Sequence, residues 1–284
     1  MEHKFQQLSK RVMIMHAEHD TDRPILAAVM GDRRTLLMDA GNSPAHAELF
    51  RDELSKRGYK QPDILALTHW HWDHTFGMSA WNLPAVAHEK TAKALAYLVG
   101  LDWSDDCLEQ LIAEGILSNE SAADIRKEFG EKRAITILEP DILFKDSISI
   151  DLGGIACELV HVGGDHAGDS CFLYVKEERI LFLGDALGPS VYGGPRKYSS
   201  TGFLKLLGLA YNYKAAWYVE SHGIPMNEEE FRKDLSPWER LARIVDVFGH
   251  DRERVVLEMK AYLKVEELPK DLLQGLEYFM AGMK

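Results

Sequence analysis

The chain has 284 residues, of which 46% are hydrophobic and 27% charged, and its formal net charge is −12 at pH 7. This composition is typical of a globular protein with one large core, and the acidic balance disfavours nucleic acid as a partner because negative charges repel a phosphate backbone. Three cysteines without a CxxC pair argue against a disulfide framework, and without a membrane-length apolar run or a secretory leader we expect a cytoplasmic protein that binds no membrane.

The first part of the chain alternates short strands with a helix. Residues 11–15, 25–30 and 34–39 are predicted to be strands separated by turn-forming stretches. Residues 45–58 are predicted to be a helix, because their apolar side chains recur at helical spacing. Residues 63–69 are nearly all apolar and predict a buried strand. This strand–helix–strand order indicates an α/β fold.

Residues 89–133 are predicted to form a helical insertion. The first of its helices ends on Gly100, the second runs from Ser104 to Gly115, and the third runs from Asn119 to about Gly130. The insertion is interpreted either as a lid over a functional site or as a surface for dimer packing. Sequence patterns leave both alternatives open.

The chain returns to strands after the insertion and ends in helices. Strands are predicted within residues 134–138, 142–152, 155–162 and 170–185, the last of which contains a hairpin turn. Asn227 caps a helix that opens with three glutamates, and Ser236 before Pro237 predicts a further helix start. We therefore expect a single domain over residues 1–284, with the insertion at 89–133 and a helical C-terminal extension at 227–284.

The densest chemical signal lies directly after the strand predicted at 63–69. Three histidines and an aspartate occur there within the run Thr68-His69-Trp70-His71-Trp72-Asp73-His74. Alternation along an extended chain puts His69 and His71 on the same side. Side chains of these types, packed this tightly, would desolvate one another without a cation to share. Together they suit zinc, iron, manganese or nickel.

Three more candidate ligands follow later strands. His166 lies in a glycine-rich loop, Asp185 follows a buried strand, and His222 follows another, each where an apolar strand gives way to glycine. His161 is a rival to His166. It alternates with apolar residues inside its strand, however, which favours a core or supporting role and makes His166 the preferred ligand.

The run THWHWDH resembles the HxHxDH signature of the metallo-β-lactamase superfamily, and the resemblance extends from about residue 12 to residue 225. His166, Asp185 and His222 are similar to the later motifs of that family, and Asp39 in LLMDAG is similar to its first motif. The third motif departs from the family, because it reads Gly-Gly-Asp-His-Ala where many members have Pro-Gly-His-Thr. The resemblance implies a four-layer αββα sandwich with metal ions at the open edge between two sheets.

The resemblance also implies a ligand set for two divalent metal ions, with zinc preferred and iron or manganese as alternatives. It assigns the first ion to His69, His71 and His166, the second to Asp73, His74 and His222, and a bridging position to Asp185. Asp39 would orient ligands through hydrogen bonds. Asp73 would also help to orient or deprotonate the nucleophile.

The implied activity is hydrolysis, in which a hydroxide shared by the two ions attacks a small acyl, thioester, lactone or phosphoester substrate. The alternative is a mononuclear iron oxidoreductase of the sulfur dioxygenase type, whose ligands are a subset of those present. A non-catalytic protein on the same fold is disfavoured, because the ligand set is complete.

Two further segments carry open alternatives. The stretch at residues 187–200 is either a plain surface loop or a source of contacts to a small-molecule substrate, through Tyr192, Arg196, Lys197 and Tyr198. Near the C-terminus, apolar residues either form a homodimer surface or fold back onto the sandwich. These residues are Leu272, Leu273, Phe279 and Met280.

Overall fold

Two β-sheets packed face to face form the centre of the protein, whose computed structural model describes residues 3–283. The first sheet has seven strands that neighbour one another in chain order. They are β1 (Phe5–Ser9), β2 (Val12–Met15), β3 (Leu26–Met30), β4 (Thr35–Met38), β5 (Ile64–Ala66), β6 (Ala85–His88) and β7 (Ile142–Phe144). The strands from β1 to β4 are antiparallel, and those from β4 to β7 are parallel.

The second sheet has five strands, in the order β12-β11-β10-β9-β8. They are β8 (Ser147–Asp151), β9 (Ala156–His161), β10 (Cys171–Val175), β11 (Ile180–Gly184) and β12 (Trp217–Glu220). Strands β8 to β11 form an antiparallel meander, and β12 joins β11 in parallel. The parallel pair brings the carboxyl ends of β11 and β12 to the same edge of the sheet.

Helices cover the outer face of each sheet and complete four layers. The first sheet is covered by α1 (Pro44–Lys56), α2 (Trp72–Thr75), α3 (Met78–Trp81), α4 (Glu89–Leu98), α5 (Asp105–Ala113) and α6 (Asn119–Phe129). The second is covered by α7 (Ser200–Asn212), α8 (Glu228–Phe248), α9 (Arg252–Leu263) and α10 (Lys270–Ala281). This arrangement confirms the predicted αββα sandwich.

Strand β2 shows why the strands read as continuous apolar runs. Val12 and Ile14 point into the core between the two sheets, whereas Met13 and Met15 point into the core under the helices. Both faces of the strand are therefore buried, and alternation sorts its side chains between two apolar layers.

Two of the strand predictions are wrong in detail. Residues 134–138 form no strand, because Ile137 and its apolar neighbours pack against the core under the helices rather than pair with another strand. The segment at 142–152 is two strands in different sheets, since β7 pairs with β6 and β8 pairs with β9. Strand β1, which pairs with β2, was not predicted.

The C-terminal extension folds back onto the second sheet. Leu272 and Phe279 are buried there, and Leu273 and Met280 pack against the same core. The extension is close-packed against α8, because a Cβ atom added to Gly275 would lie 2.3 Å from the ring of Trp238. Within residues 3–283, none of the helices is both long and apolar enough to cross a membrane.

The predicted helix start at Ser236 is wrong, because α8 runs through it without a break. Proline lacks the backbone N–H that a helix interior uses, but its neighbours keep helical geometry and the Ser236 hydroxyl donates to Lys233 O at 3.1 Å. The cap at Asn227 is present as predicted, with the side chains of Asn227 and Glu230 each accepting from the other's backbone N–H.

Candidate metal centre

The predicted ligands meet where strands of the two sheets end. Asp39 follows β4, the segment from Thr68 to His74 follows β5, and Asp185 and His222 follow β11 and β12. Strands β4 and β5 are parallel neighbours, so their carboxyl ends lie side by side, and Asp39 N donates to Ala66 O at 3.0 Å. The edge of the sandwich therefore collects polar side chains from loops that are distant in sequence.

The structure brings all seven predicted ligands together in two groups. In each group the potential ligand atoms lie within 4.8 Å of one another. The first group is His69, His71 and His166, and the second is Asp73, His74, Asp185 and His222. This is the division that the resemblance implies for two ions, apart from the bridging role expected for Asp185.

Asp185 lies between the two groups. Its Oδ2 atom is 3.4 Å from His166 Nε2 in the first group and 3.4 Å from His222 Nε2 in the second. On the other side of the second group, Asp73 Oδ2 is 2.9 Å from His74 Nε2 and 3.1 Å from His222 Nε2. The position of Asp185 is that of a carboxylate able to bridge two cations.

The imidazole rings are oriented from outside the cluster. His69 Nδ1 lies 3.1 Å from the hydroxyl of Thr68, and His166 Nδ1 lies 3.2 Å from the carbonyl oxygen of Pro189. The Nε2 atoms of His69 and His166 are buried and have no hydrogen-bond partner among the described residues. An imidazole whose Nδ1–H is engaged presents a lone pair at Nε2, so these orphaned nitrogen atoms fit a metal ion.

Asp39 supports the cluster through three contacts. Its Oδ2 atom accepts from His74 Nδ1 at 2.8 Å and from the Thr68 hydroxyl at 2.9 Å, and its Oδ1 accepts from Thr68 N at 2.8 Å. Its backbone has a φ of 56°, in the left-handed region that few residues other than glycine adopt. Asp39 thus holds His74 and the start of the ligand segment from a strained position.

Burial lowers the pKa of the three imidazoles in the first group. For His69 and His71 it lies well below the usual histidine value, because neighbouring imidazoles add to the effect of burial. The pKa of His166 is also lowered by burial, although Asp185 opposes the shift. Neutral rings are the protonation state in which histidine ligates a metal.

The second group couples acids to imidazoles. Burial alone would raise the pKa of Asp73 and of Asp185, but the charges of His74 and His222 outweigh it and hold both well below their usual range. Conversely, burial would lower the pKa of His74 and of His222, yet the carboxylates raise both well above their usual range. The carboxylates are therefore ionised, as ligation requires, and bound cations would replace the protons on the imidazoles.

A cavity of about 470 Å³ opens onto the cluster. Two of the four predicted substrate contacts, Tyr192 and Arg196, line it. The Tyr192 ring lies 4.4 Å from the ring of His71, and its hydroxyl is 3.3 Å from that of Ser121. The remaining lining residues include Asp22, Ser118, Glu120, Asp124, Pro189, Val191 and Glu220.

The other two predicted substrate contacts, Lys197 and Tyr198, do not line this cavity. Tyr198 is buried against Phe279 of the C-terminal extension, and its hydroxyl donates to Leu187 O at 3.1 Å. Lys197 lines a separate cavity beside α7 and α10. The loop turns between Arg196 and Tyr198, so consecutive residues point to different places.

His161 does not join the cluster. Its ring stacks on that of His88 at 3.9 Å, and its Nε2 atom is 3.0 Å from Gly168 O. His161 therefore belongs to neither ligand group.

The helical insertion supplies one wall of the cavity. Ser118, Ser121 and Asp124, at the start of α6, line it. Sequence reasoning missed these residues, and it missed Asp22, which lies in the loop before β3. Burial, with the nearby Asp73, raises the pKa of Asp22 to about 7. The sequence carried no signal for any of them, since none belongs to a motif.

Comparison with known proteins gives a family and several distant relatives. The profile of the metallo-beta-lactamase superfamily matches residues 20–222. The alpha subunit of 2,4-dinitroanisole O-demethylase from Nocardioides sp. is 26% identical, over 76% of this chain and 57% of its own. Linear primary-alkylsulfatase from Pseudomonas sp. is 21% identical over 76% and 44%, and acyl-coenzyme A thioesterase MBLAC2 from Homo sapiens is 25% identical over 56% and 56%. The chain spans about half the length of these relatives.

Solved structures show the same fold. A metallo-beta-lactamase from Pontibacter korlensis aligns with a TM-score of 0.57 at 21% identity, covering 83% of this chain and 98% of its own. The sec-alkylsulfatase Pisa1 from Pseudomonas sp. aligns with a TM-score of 0.60 at 14% identity, covering 96% and 47%.

Proposed function

The chain belongs to the metallo-beta-lactamase superfamily, and we propose that it is a metal-dependent hydrolase whose clustered histidines and aspartates hold two divalent metal ions. The observation that carries the proposal is the pair of complete ligand groups with Asp185 between them. Nitrogen and carboxylate ligands in this combination suit zinc, which we propose as the metal, with manganese or iron as alternatives.

His69, His71 and His166 would hold the first ion, and Asp73, His74 and His222 would hold the second, with Asp185 available to both. When bound, such ions lower the pKa of a water molecule towards neutrality and polarise the oxygen of the electrophile. Asp73 lines the cavity and has a lowered pKa. A carboxylate that resists protonation is a weak base, so its role is to orient the nucleophile by accepting a hydrogen bond.

The rest of the cavity binds and shields the substrate. Tyr192 contacts the first ligand group and presents a hydroxyl whose pKa burial raises, so the hydroxyl remains a hydrogen-bond donor. Arg196 is the one arginine or lysine among the lining residues that the structure describes. Arg196 makes no ion pair with the acids that line the cavity with it, so its charge is free to bind an anionic group of a substrate away from the metal ions.

We propose a small acyl or thioester-like substrate, with phosphoesters and sulfate esters as further compounds to test. The cavity volume of about 470 Å³ is that of a small-molecule site. The relatives include proteins named as an acyl-coenzyme A thioesterase and an alkylsulfatase, which supports a search among thioesters and sulfate esters. A cytoplasmic location is part of the proposal, supported by three cysteines that are all free.

The alternative, a mononuclear iron dioxygenase, needs only one ligand group. The second group, which is as compact as the first, therefore favours two ions. Elemental analysis of the purified protein tests this, with the His69→Ala/His71→Ala double variant as control. We expect two zinc or manganese ions per chain, with the ion of the first group lost in the variant. One iron per chain, with oxygen uptake on a persulfide, would support the dioxygenase instead.

Hydrolysis is tested on the same samples. Metal-loaded protein should cleave at least one member of a panel of thioesters, lactones, phosphodiesters and alkyl sulfates, and the double variant should cleave none. A fully loaded protein that hydrolyses nothing in the panel would contradict the proposed substrate classes.

A further inference from the structure

Three of the clustered histidines are fixed by a partner at the ring nitrogen that faces away from the site. His69 has the Thr68 hydroxyl, His74 has Asp39, and His166 has the carbonyl of Pro189. Such outer partners set the tautomer and the orientation of a metal-binding imidazole. The same requirement holds for His222.

The Nδ1 atom of His222 has no such partner at hydrogen-bond distance. It is buried and makes no hydrogen bond to any described residue. The carboxylate oxygen Oδ1 of Asp22 lies 3.5 Å from it, while the Nε2 atom of the same ring faces Asp73 and Asp185. The ring therefore stands between the ligand carboxylates on one side and Asp22 on the other.

The turn that carries Asp22 is held by contacts to the helical insertion. The φ of Asp22, 55°, lies in the left-handed region, which aspartate adopts more readily than most residues other than glycine. Both flanking side chains bind one acid of the helical insertion. Thr21 donates to Glu128 through its hydroxyl, and the Arg23 guanidinium does so at 2.7 Å.

Glu128 is suited to hold this turn. Only 3% of its side chain is exposed, and it also accepts from the Ser43 hydroxyl at the start of α1. Burial opposes its ionisation, but these donors outweigh burial and hold its pKa below the usual range. A buried, ionised carboxylate with donors on several sides is a rigid anchor.

We propose that Asp22 is a positioning residue for the second metal ion: it accepts a hydrogen bond from His222 Nδ1, and Glu128 of the insertion holds it in place. The inference rests on the proposed function, because it concerns an ion in the second ligand group. A closure of about 0.6 Å brings the pair from 3.5 Å to an ordinary N–H···O distance of about 2.9 Å. The helical insertion then acts on the metal centre through the turn at 21–23.

The test is a zinc titration of metal-free, full-length protein against a competing chelator. We expect Asp22→Ala to weaken one of the two binding steps by roughly 10- to 100-fold, the usual cost of removing an outer partner, and to leave the other step unchanged. Asp22→Asn should recover part of this loss, because its side-chain carbonyl still accepts a hydrogen bond.

Asp20→Asn is the matched control. Asp20 lies in the same loop and also pairs with the insertion, through Lys127, but its carboxylate is 64% exposed and is not among the residues lining the cavity. Like Asp22→Asn, this variant replaces a carboxyl group of the loop by an amide, but away from the cavity, so we expect both binding steps to match those of the wild type. A loss in Asp20→Asn as large as that in Asp22→Asn would mean that the affinity depends on the loop's carboxyl groups in general and not on a contact with His222, and would overturn the proposal.

Other outcomes separate this inference from the proposed function. A wild type that binds no zinc refutes both. A wild type with two steps, both unchanged in Asp22→Ala, refutes the inference alone. Equal losses at both steps, with a lower unfolding temperature of the metal-free protein, would show that Asp22 is merely structural. The role of Glu128 in holding Asp22 has its own test. Glu128→Gln should weaken the same binding step as Asp22→Ala, and the double variant should lose no more affinity than Asp22→Ala alone. Additive losses of affinity would contradict this role of Glu128.

Discussion

One hydroxyl supports two of the contacts that orient the metal ligands. Thr68 Oγ1 donates to Asp39 Oδ2 at 2.9 Å and lies 3.1 Å from His69 Nδ1, whose N–H it can accept. Thr68→Val removes this hydroxyl but keeps the β-branched shape. The backbone N–H of residue 68 still donates to Asp39 Oδ1 at 2.8 Å. The variant therefore isolates the side-chain hydrogen bonds from the packing.

The expected cost follows from the two contacts. A hydrogen bond to an ionised carboxylate contributes about 1.5–3 kcal/mol, and a buried donor left without a partner, here on His69, costs about 1–3 kcal/mol. Because both contacts share one oxygen, we expect a total near 3 kcal/mol rather than the full sum. At this chain length of 284 residues, the entropy of unfolding is about 0.6 kcal/mol/K, so that loss lowers the unfolding temperature by roughly 5 °C. Zinc affinity should fall roughly tenfold or more, since His69 loses the partner that orients it.

Thr35→Val is the matched control. Thr35 lies in β4, the strand paired with β5, and is fully buried, but its hydroxyl has no hydrogen-bond partner among the described residues. We expect a change within about 0.5 kcal/mol, or a small gain, because no hydrogen bond is lost. Urea unfolding in the presence of a chelator, followed by zinc titration, measures both effects. Equal losses of stability in the two variants would refute the hydrogen-bond argument.

Three further predictions concern the site. We expect His166→Ala to lose the first ion. We expect His161→Ala to retain two ions per chain, because His161 stacks on another histidine away from the cluster. Elemental analysis of the two variants measures the number of ions in each. We expect Gly188→Ala to weaken metal binding, because its new Cβ atom would lie 3.0 Å from His166 Nδ1. Circular dichroism should show little loss of secondary structure, and an unchanged zinc affinity would contradict the prediction. We expect Arg196→Ala to raise KM for an anionic substrate by roughly tenfold. Lys197 lies in a different cavity, so Lys197→Ala should leave KM unchanged. Steady-state kinetics of both variants measure KM.

The ligand set could be predicted because its signal is local. The residues from His69 to His74 follow a buried strand, and alternation alone places the first two histidines on one side. His166, Asp185 and His222 each stand where an apolar strand ends, so the sandwich fold brings them to the same edge. The four layers were predicted from the resemblance to the metallo-β-lactamase superfamily, whereas the strand–helix–strand pattern by itself indicated only an α/β fold.

What sequence reasoning missed depends on contacts between distant segments. Nothing in the run around Asp22 shows that a glutamate about a hundred positions later holds its turn in a left-handed conformation. Likewise, Tyr198 was named as a possible substrate contact because its loop follows Asp185 in the sequence, yet it packs against a helix near the C-terminus. Proximity in sequence indicates proximity in space within one element, but not across a loop that turns.

The helical insertion shows how topology and function combine. Strands β6 and β7 are parallel neighbours, and a parallel pair requires a crossover of a dozen or more residues, usually helical. One helix would satisfy that requirement, but the chain uses three, α4 to α6. The surplus is explained by α6, which lines the cavity with Ser118, Ser121 and Asp124 and anchors the turn at 21–23 through Glu128. A segment that the sheet needs only as a connection thus carries side chains that line the same cavity as the metal ligands, where we expect differences in substrate choice among similar folds to arise.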